Sequence, residues 1–128
     1  MKLLLDTCTF LWLTLNAKEL SRAARKAFTD PDNEVFLSCV SAWEIAIKHR
    51  LGKLPLPEAP TEFVPNERGR HGIDTLALTE VATLTLGRLP DLHRDPFDRM
   101  LVSQAIAGGL SILTPDPLIQ QYPVMTLW

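Results

Sequence analysis

Long apolar runs are missing from this chain. Leu3 to Leu5 and Val35 to Leu37 are cut short by acids, serine or proline, well before the roughly 20 residues a membrane-spanning helix needs. That excludes a helical span. Only Lys2 and three leucines precede Asp6, far less than a secretory signal carries, so the chain is expected to stay in the cytoplasm. Cysteine is scarce: Cys8 and Cys39 have no CxxC spacing and read as small buried thiols rather than as a disulfide. Positive charge is not in excess either, with 13 Lys and Arg against 15 Asp and Glu. A pI near 5.9 excludes a protein that coats nucleic acid by charge alone. Histidine is limited to His49, His71 and His93. No pair has metal-ligand spacing, and His93 reads as a solvated loop residue or the partner of a nearby acid. Repeats and low-complexity tracts are absent, which leaves function to point constellations.

What is present is 128 residues, 46% of them hydrophobic, enough for one core and one domain over residues 1–128. Lys2 to Leu5 reads as a strand, and Phe10, Leu11, Trp12 and Leu15 as a helix stripe. Ala17 to Phe28 fits a helix stopped by Asp30-Pro31-Asp32-Asn33. Glu34 to Ser38 fits a strand, and Ser41 onward a helix closed by Gly52. The prolines of Lys53 to Pro60 mark a surface connection. Thr61 to Arg70 reads as a helix weakened by Pro65, Gly72 to Leu76 as a strand, and Glu80 to Leu86 as a short helix before the loop Gly87 to Pro96. Phe97 to Ala107 is a helix ended by Gly108-Gly109. Leu110 to Leu113, a brief helix at Asp116 to Gln121 and an edge strand at Val124 to Leu127 complete the chain. Alternation of this kind predicts an α/β fold with a central, mostly parallel sheet and helices on both faces.

Right-handed crossovers in such a fold bring helix N-termini to the carboxyl edge of the sheet, where ligands bind. Asp6 follows the first strand, Glu44 falls in the first turn of the helix after the second, Asp98 opens the helix before the fourth, and Asp116 follows the fourth. Each acid alone is explained by capping. Ser41-Ala42-Trp43-Glu44 has the capping-box form, while Asp116-Pro117 and Asp95-Pro96 look like N-cap and N1, with Asp98 still in the first turn. Together they would repel one another by roughly 4 kcal/mol per pair at about 4 Å. A hard divalent cation compensates such a cluster, and an all-oxygen donor set favours Mg2+ or Mn2+ over Zn2+.

The segments Leu3-Leu4-Leu5-Asp6-Thr7, Ser41-Ala42-Trp43-Glu44, His93-Arg94-Asp95-Pro96-Phe97-Asp98-Arg99-Met100-Leu101 and Leu113-Thr114-Pro115-Asp116 resemble, in order and across essentially the whole chain, the PIN-domain family. Within it the chain is most similar to the VapC-type toxins of toxin-antitoxin systems. The segment around Asp98 is the most specific. The chain differs from close relatives at Cys8, where His is frequent, and at Val102-Ser103, where Ile-Ala is frequent. The resemblance implies a three-layer α/β/α fold and a metal-dependent endoribonuclease that cleaves RNA through metal-activated water. It further implies inhibition by a cognate antitoxin and a homodimer. The family's acids carry over onto Asp6, Glu44, Asp98 and Asp116.

Thr7, Thr114, Asp95 and Arg99 are candidates to support those acids, with capping or surface charge as their ordinary roles. Lys48, His49, Arg50 and Lys53, and then Arg68, Arg70 and His71, are basic runs that read as solvated faces and would be the grips for RNA. Trp12 is expected in the core, and Trp43 and Phe63 in the core or in an aromatic patch for an antitoxin helix. Two other readings compete. A phosphatase with an aspartate nucleophile would want a second acid where Cys8 stands. An inactive RNA- or protein-binding module of the same fold would keep the acids only as caps.

Overall fold

The computed structural model describes residues 1–128. Five strands, β1 (Lys2–Leu5), β2 (Glu34–Ser38), β3 (Asp74–Leu76), β4 (Ser111–Leu113) and β5 (Thr126–Leu127), form one sheet in the order β3-β2-β1-β4-β5. Every neighbouring pair is parallel, so the sheet is parallel throughout rather than mostly so. β1 lies at its centre, with Leu5 in register with Leu37 on one side and Leu113 on the other.

Leu3, Leu4 and Leu5 are all fully buried, as a central parallel strand covered on both faces requires. Their alternation splits the core in two. Leu3 and Leu5 pack with Phe10, Ala24, Ile45 and Phe63 from α1 (Thr7–Thr14), α2 (Arg22–Thr29), α3 (Cys39–Arg50) and α4 (Pro60–His71). Leu4 packs with Leu101, Val102 and Ala105 of α6 (Pro96–Gly108), and with Ile112 and Tyr122. This is a three-layer α/β/α arrangement. The short α5 (Glu80–Thr85) continues into a 3-10 turn, Leu86–Arg88, and a hydrogen bond from the Ser103 hydroxyl to the Ala82 carbonyl ties it to α6.

Several boundaries differ from the sequence reading, and local hydrogen bonds explain them. The second helix begins at Arg22, not Ala17, because Ser21 caps it through the Ala24 N–H at 3.0 Å. Ser38, not Ser41, caps α3 by accepting from Val40 N–H at 3.0 Å. The expected Ser41–Glu44 capping box is therefore not formed. β3 starts two residues late because Gly72 takes a left-handed conformation, φ 63°, at the end of α4. Only a 3-10 turn, Ile119–Gln121, follows Asp116, and the last strand is shortened to Thr126–Leu127. No helix is long and apolar enough to cross a membrane.

Candidate acidic site at the carboxyl edge of the sheet

Asp6 stands where β1 turns into α1, and its side chain caps that helix by accepting from the Thr9 N–H at 2.7 Å. Because Leu5 and Leu113 are in register, the next residues, Asp6 and Thr114, come together, and the Thr114 hydroxyl donates to Asp6 Oδ2. Asp6 is buried. Its carboxyl is pushed above the usual range by that burial, with the Thr114 and Thr9 hydrogen bonds pulling the other way.

Glu44 lies a turn deeper in α3 than the sequence placed it, since the helix begins at Cys39. It is also buried. The Thr7 hydroxyl donates to Oε1 at 2.6 Å, and Lys48, one turn on, pairs with Oε2. That bond is the main cause of the raised Lys48 pKa.

Asp98 and Asp116 approach from the other side. Asp95 caps α6 through the Phe97 and Asp98 N–H groups at 2.8 and 3.3 Å, which places Asp98 in the first turn. The Asp98 carboxyl is pushed up to about 7, first by burial and then by repulsion from Asp95 and Glu44. Asp116 Oδ1 accepts from the Leu118 N–H at 2.8 Å. His93 joins the two: Nε2 is 3.1 Å from Asp98 Oδ2 and 3.0 Å from Asp116 Oδ2. One ligand atom from each of these three residues lies within 4.8 Å of the other two.

Asp6, Glu44, Asp98 and Asp116 border one open cavity of about 370 Å³, together with Asp95, Lys48 and Trp12. All four sequence-derived acids and both threonines are thus brought together, Thr7 on Glu44 and Thr114 on Asp6. Arg99 is not among them. Its Nη1 donates to the Pro90 carbonyl at 2.9 Å and the Tyr122 hydroxyl at 3.1 Å, so it braces a loop rather than lying free on the surface.

Other assignments are redistributed. Cys8 is exposed, not buried, and borders the cavity, because α1 turns this position away from the core. Partial burial of its sulfur, then the negative charge of Asp6, Asp98 and Glu44, pushes the thiol up to about 11. Cys39 is half-buried, and the two form no disulfide. Trp12 is half-buried beside Trp128, with ring centroids 5.8 Å apart, while Phe63 is core. Trp43 is exposed and packs edge-to-face with Phe97, ring centroids 5.0 Å apart. In the second basic run, Arg70 and His71 lie 3.2 and 3.4 Å from Glu67 and Arg68 donates to Thr75, so that run serves its own surroundings. From the first run Lys48 borders the cavity.

The donor set fits a hard divalent cation. Five carboxylates border the cavity against one lysine, and two of them, Asp6 and Asp98, are penalised for ionising by burial. A cation removes that penalty. Asp6, Glu44, Asp98 and Asp116 offer oxygen ligands suited to Mg2+ or Mn2+.

A parallel sheet with helices on both faces and carboxylates gathered at its carboxyl edge defines the class of α/β protein with an acidic edge site. More particularly, the PIN domain model matches residues 3–124, and the chain belongs to that family. It is 40% identical over 67 residues to Ribonuclease VapC16 of Mycobacterium tuberculosis, a match spanning 52% of this chain and 48% of that protein. The chain thus matches about half the length of that relative. Among solved structures it is similar to VapBC2 from Rickettsia felis bound to a DNA fragment from their promoter, with TM-score 0.74 and 15% identity over 99% of this chain and 98% of the other. It is also similar to DNA-bound VapBC from Salmonella typhimurium, with TM-score 0.68 and 19% identity over 99% and 97%. At these identities the two structures establish likeness of fold.

Proposed function

We propose that residues 1–128 act as a single domain, a divalent-metal-dependent endoribonuclease serving as the toxin of a cytoplasmic toxin-antitoxin pair. The observation that carries this reading is the meeting of Asp6, Glu44, Asp98 and Asp116 around one cavity. Likeness to Ribonuclease VapC16 favours RNA as the substrate, and likeness to VapBC complexes favours an antitoxin partner.

In this reading Asp6 and Asp98 are the principal holders of Mg2+ or Mn2+, with Glu44 and Asp116 completing the set. When bound, such an ion neutralises developing charge on phosphate and makes water a better nucleophile. The chain's own groups supply the rest. Thr114 and Thr9 hold Asp6 in one orientation, and Thr7 holds Glu44. Lys48, partly exposed on the rim, offers a positive contact for an RNA phosphate beside the acids, with His49, Arg50 and Lys53 following it in the chain. No histidine is required as a base.

An RNA cleavage assay with Mg2+, with Mn2+ and with EDTA tests this. Cleavage is expected with either metal and not with EDTA, leaving 5′-phosphate ends, and Asp6→Asn is expected to abolish it. Metal-independent cleavage, or full activity in both Asp6→Asn and Asp98→Asn, overturns the reading. Hydrolysis of small phosphomonoesters without RNA cleavage would transfer the site to the phosphatase class. Failure to bind Mn2+ would leave an inactive module of the same fold. We further propose a homodimer, for which light scattering is expected to give about twice the chain mass.

A further inference from the structure

His93 belongs to none of the groups that this reading needs, yet both of its ring nitrogens have partners at the site. Its Nδ1 accepts from the Asp95 N–H at 3.1 Å. A neutral ring held in this way carries its proton on Nε2, the nitrogen that lies between Asp98 Oδ2 and Asp116 Oδ2. The backbone is pinned as well, since the His93 N–H donates to the buried Tyr122 hydroxyl at 2.9 Å. Tyr122 in turn accepts from Arg99, which also holds the Pro90 carbonyl.

The Tyr122 bond uses only the backbone N–H of residue 93, and within the loop the ring itself contributes the Asp95 N–H contact through Nδ1 alone. That leaves Nε2 facing the acids. It hydrogen-bonds Asp116 Oδ2, beyond β4, and stands 3.1 Å from one oxygen of Asp98 on α6, leaving Asp98 Oδ1 uncommitted.

We infer that His93 is a positioning residue: its Nε2–H bonds Asp116 and, set against Asp98 Oδ2, keeps the two carboxylates together so that the pair presents a preformed cation site. The inference rests on the metal-dependent reading above. It assigns no proton transfer to the ring.

The test is Mn2+ binding to the purified chain by titration calorimetry, with RNA cleavage and metal-free thermal melts alongside. Partners that orient metal ligands commonly contribute 10- to 100-fold in affinity. His93→Ala is accordingly expected to weaken Mn2+ binding by at least about tenfold. His93→Gln, which keeps an N–H donor near the Nε2 position, is expected to recover most of that loss. Tyr122→Phe, which touches neither acid, is expected to weaken binding to a smaller degree by loosening the loop.

At a pH where the ring is neutral, 15N imidazole shifts in the metal-free protein are expected to report the Nε2–H tautomer. A merely structural role would lower the melting temperature of His93→Ala and leave Mn2+ affinity unchanged, which overturns the inference. Tighter binding by His93→Ala also overturns it, since the ring would then be competing with the cation. The Nδ1–H tautomer overturns it independently of any metal. Wild-type protein that neither binds Mn2+ nor cleaves RNA overturns the functional reading and this inference together. Wild-type protein that does both, with an indifferent His93→Ala, overturns the inference alone.

Discussion

Asp98→Asn is expected to make the metal-free protein more stable while removing the proposed ribonuclease activity. The Asp98 carboxyl is held at about 7 by burial and by the charges of Asp95 and Glu44, so near neutral pH its ionisation works against the folded state. Each unit of displacement corresponds to about 1.4 kcal/mol. Asparagine has almost the same shape and carries no charge, so with the carboxyl displaced from 3.8 to about 7 the variant is expected to gain up to about 4 kcal/mol in EDTA at neutral pH. In a thermal melt that is a rise of about 4 °C per kcal/mol. RNA cleavage in Mn2+ is expected to fall about a thousandfold, equivalent to about 4 kcal/mol of transition-state stabilisation. The two effects together separate a functional acid from a cap. An N-terminal acid present only for the helix dipole is expected to cost about 0.3 to 1 kcal/mol when neutralised, the opposite sign. A destabilised, fully active Asp98→Asn would return this residue to the role of a helix-start acid.

Much of this arrangement is legible from residue order, for reasons that also explain where legibility stops. Leu3-Leu4-Leu5 reads as a central strand because a short apolar run bounded by a turn suits a strand covered on both faces. Once alternation of strands and helices implies a parallel sheet, Asp6 and Asp116 must share its carboxyl edge, and the Leu5 to Leu113 register realises that adjacency. The Ser41–Glu44 pattern misled because two serines stand three residues apart. Ser38 takes the cap, and the true role of Ser41 is a buried place near the Thr7 hydroxyl, 3.0 Å away. His93 was visible only as a loop residue or an acid's partner. Its position depends on Tyr122 and Arg99, 29 and 6 positions away in sequence, and a loop without periodicity carries no signal of such long-range bonds. Cys8 was misjudged on composition, since the usual burial of free thiols says nothing about which side of α1 faces a polar cavity.

The pH dependence of the site should have opposite signs without and with metal. In the metal-free chain Asp98 keeps its proton to about 7 when folded but releases it near its ordinary value of 3.8 when unfolded. The folded state therefore binds more protons between about pH 4 and pH 7, and stability must fall as pH rises through that window. One such group gives a slope of up to about 1.4 kcal/mol per pH unit, and Asp6, raised in the same direction, adds to it. Urea denaturation in EDTA of wild type and Asp98→Asn isolates the contribution of Asp98: their difference is expected to widen from about pH 4 to about pH 7 and then remain constant. Mn2+ needs the ionised carboxylates, so its affinity is expected to rise by about tenfold per pH unit for each proton displaced and to level off above about 7. Stability conferred by the metal then increases over the same interval in which the metal-free chain weakens, which makes occupation of the site most consequential near neutral pH. A metal-free difference that is flat across the window, or Mn2+ affinity independent of pH below about 7, would mean that Asp98 is already ionised without a cation and that the acids do not form a destabilised cluster.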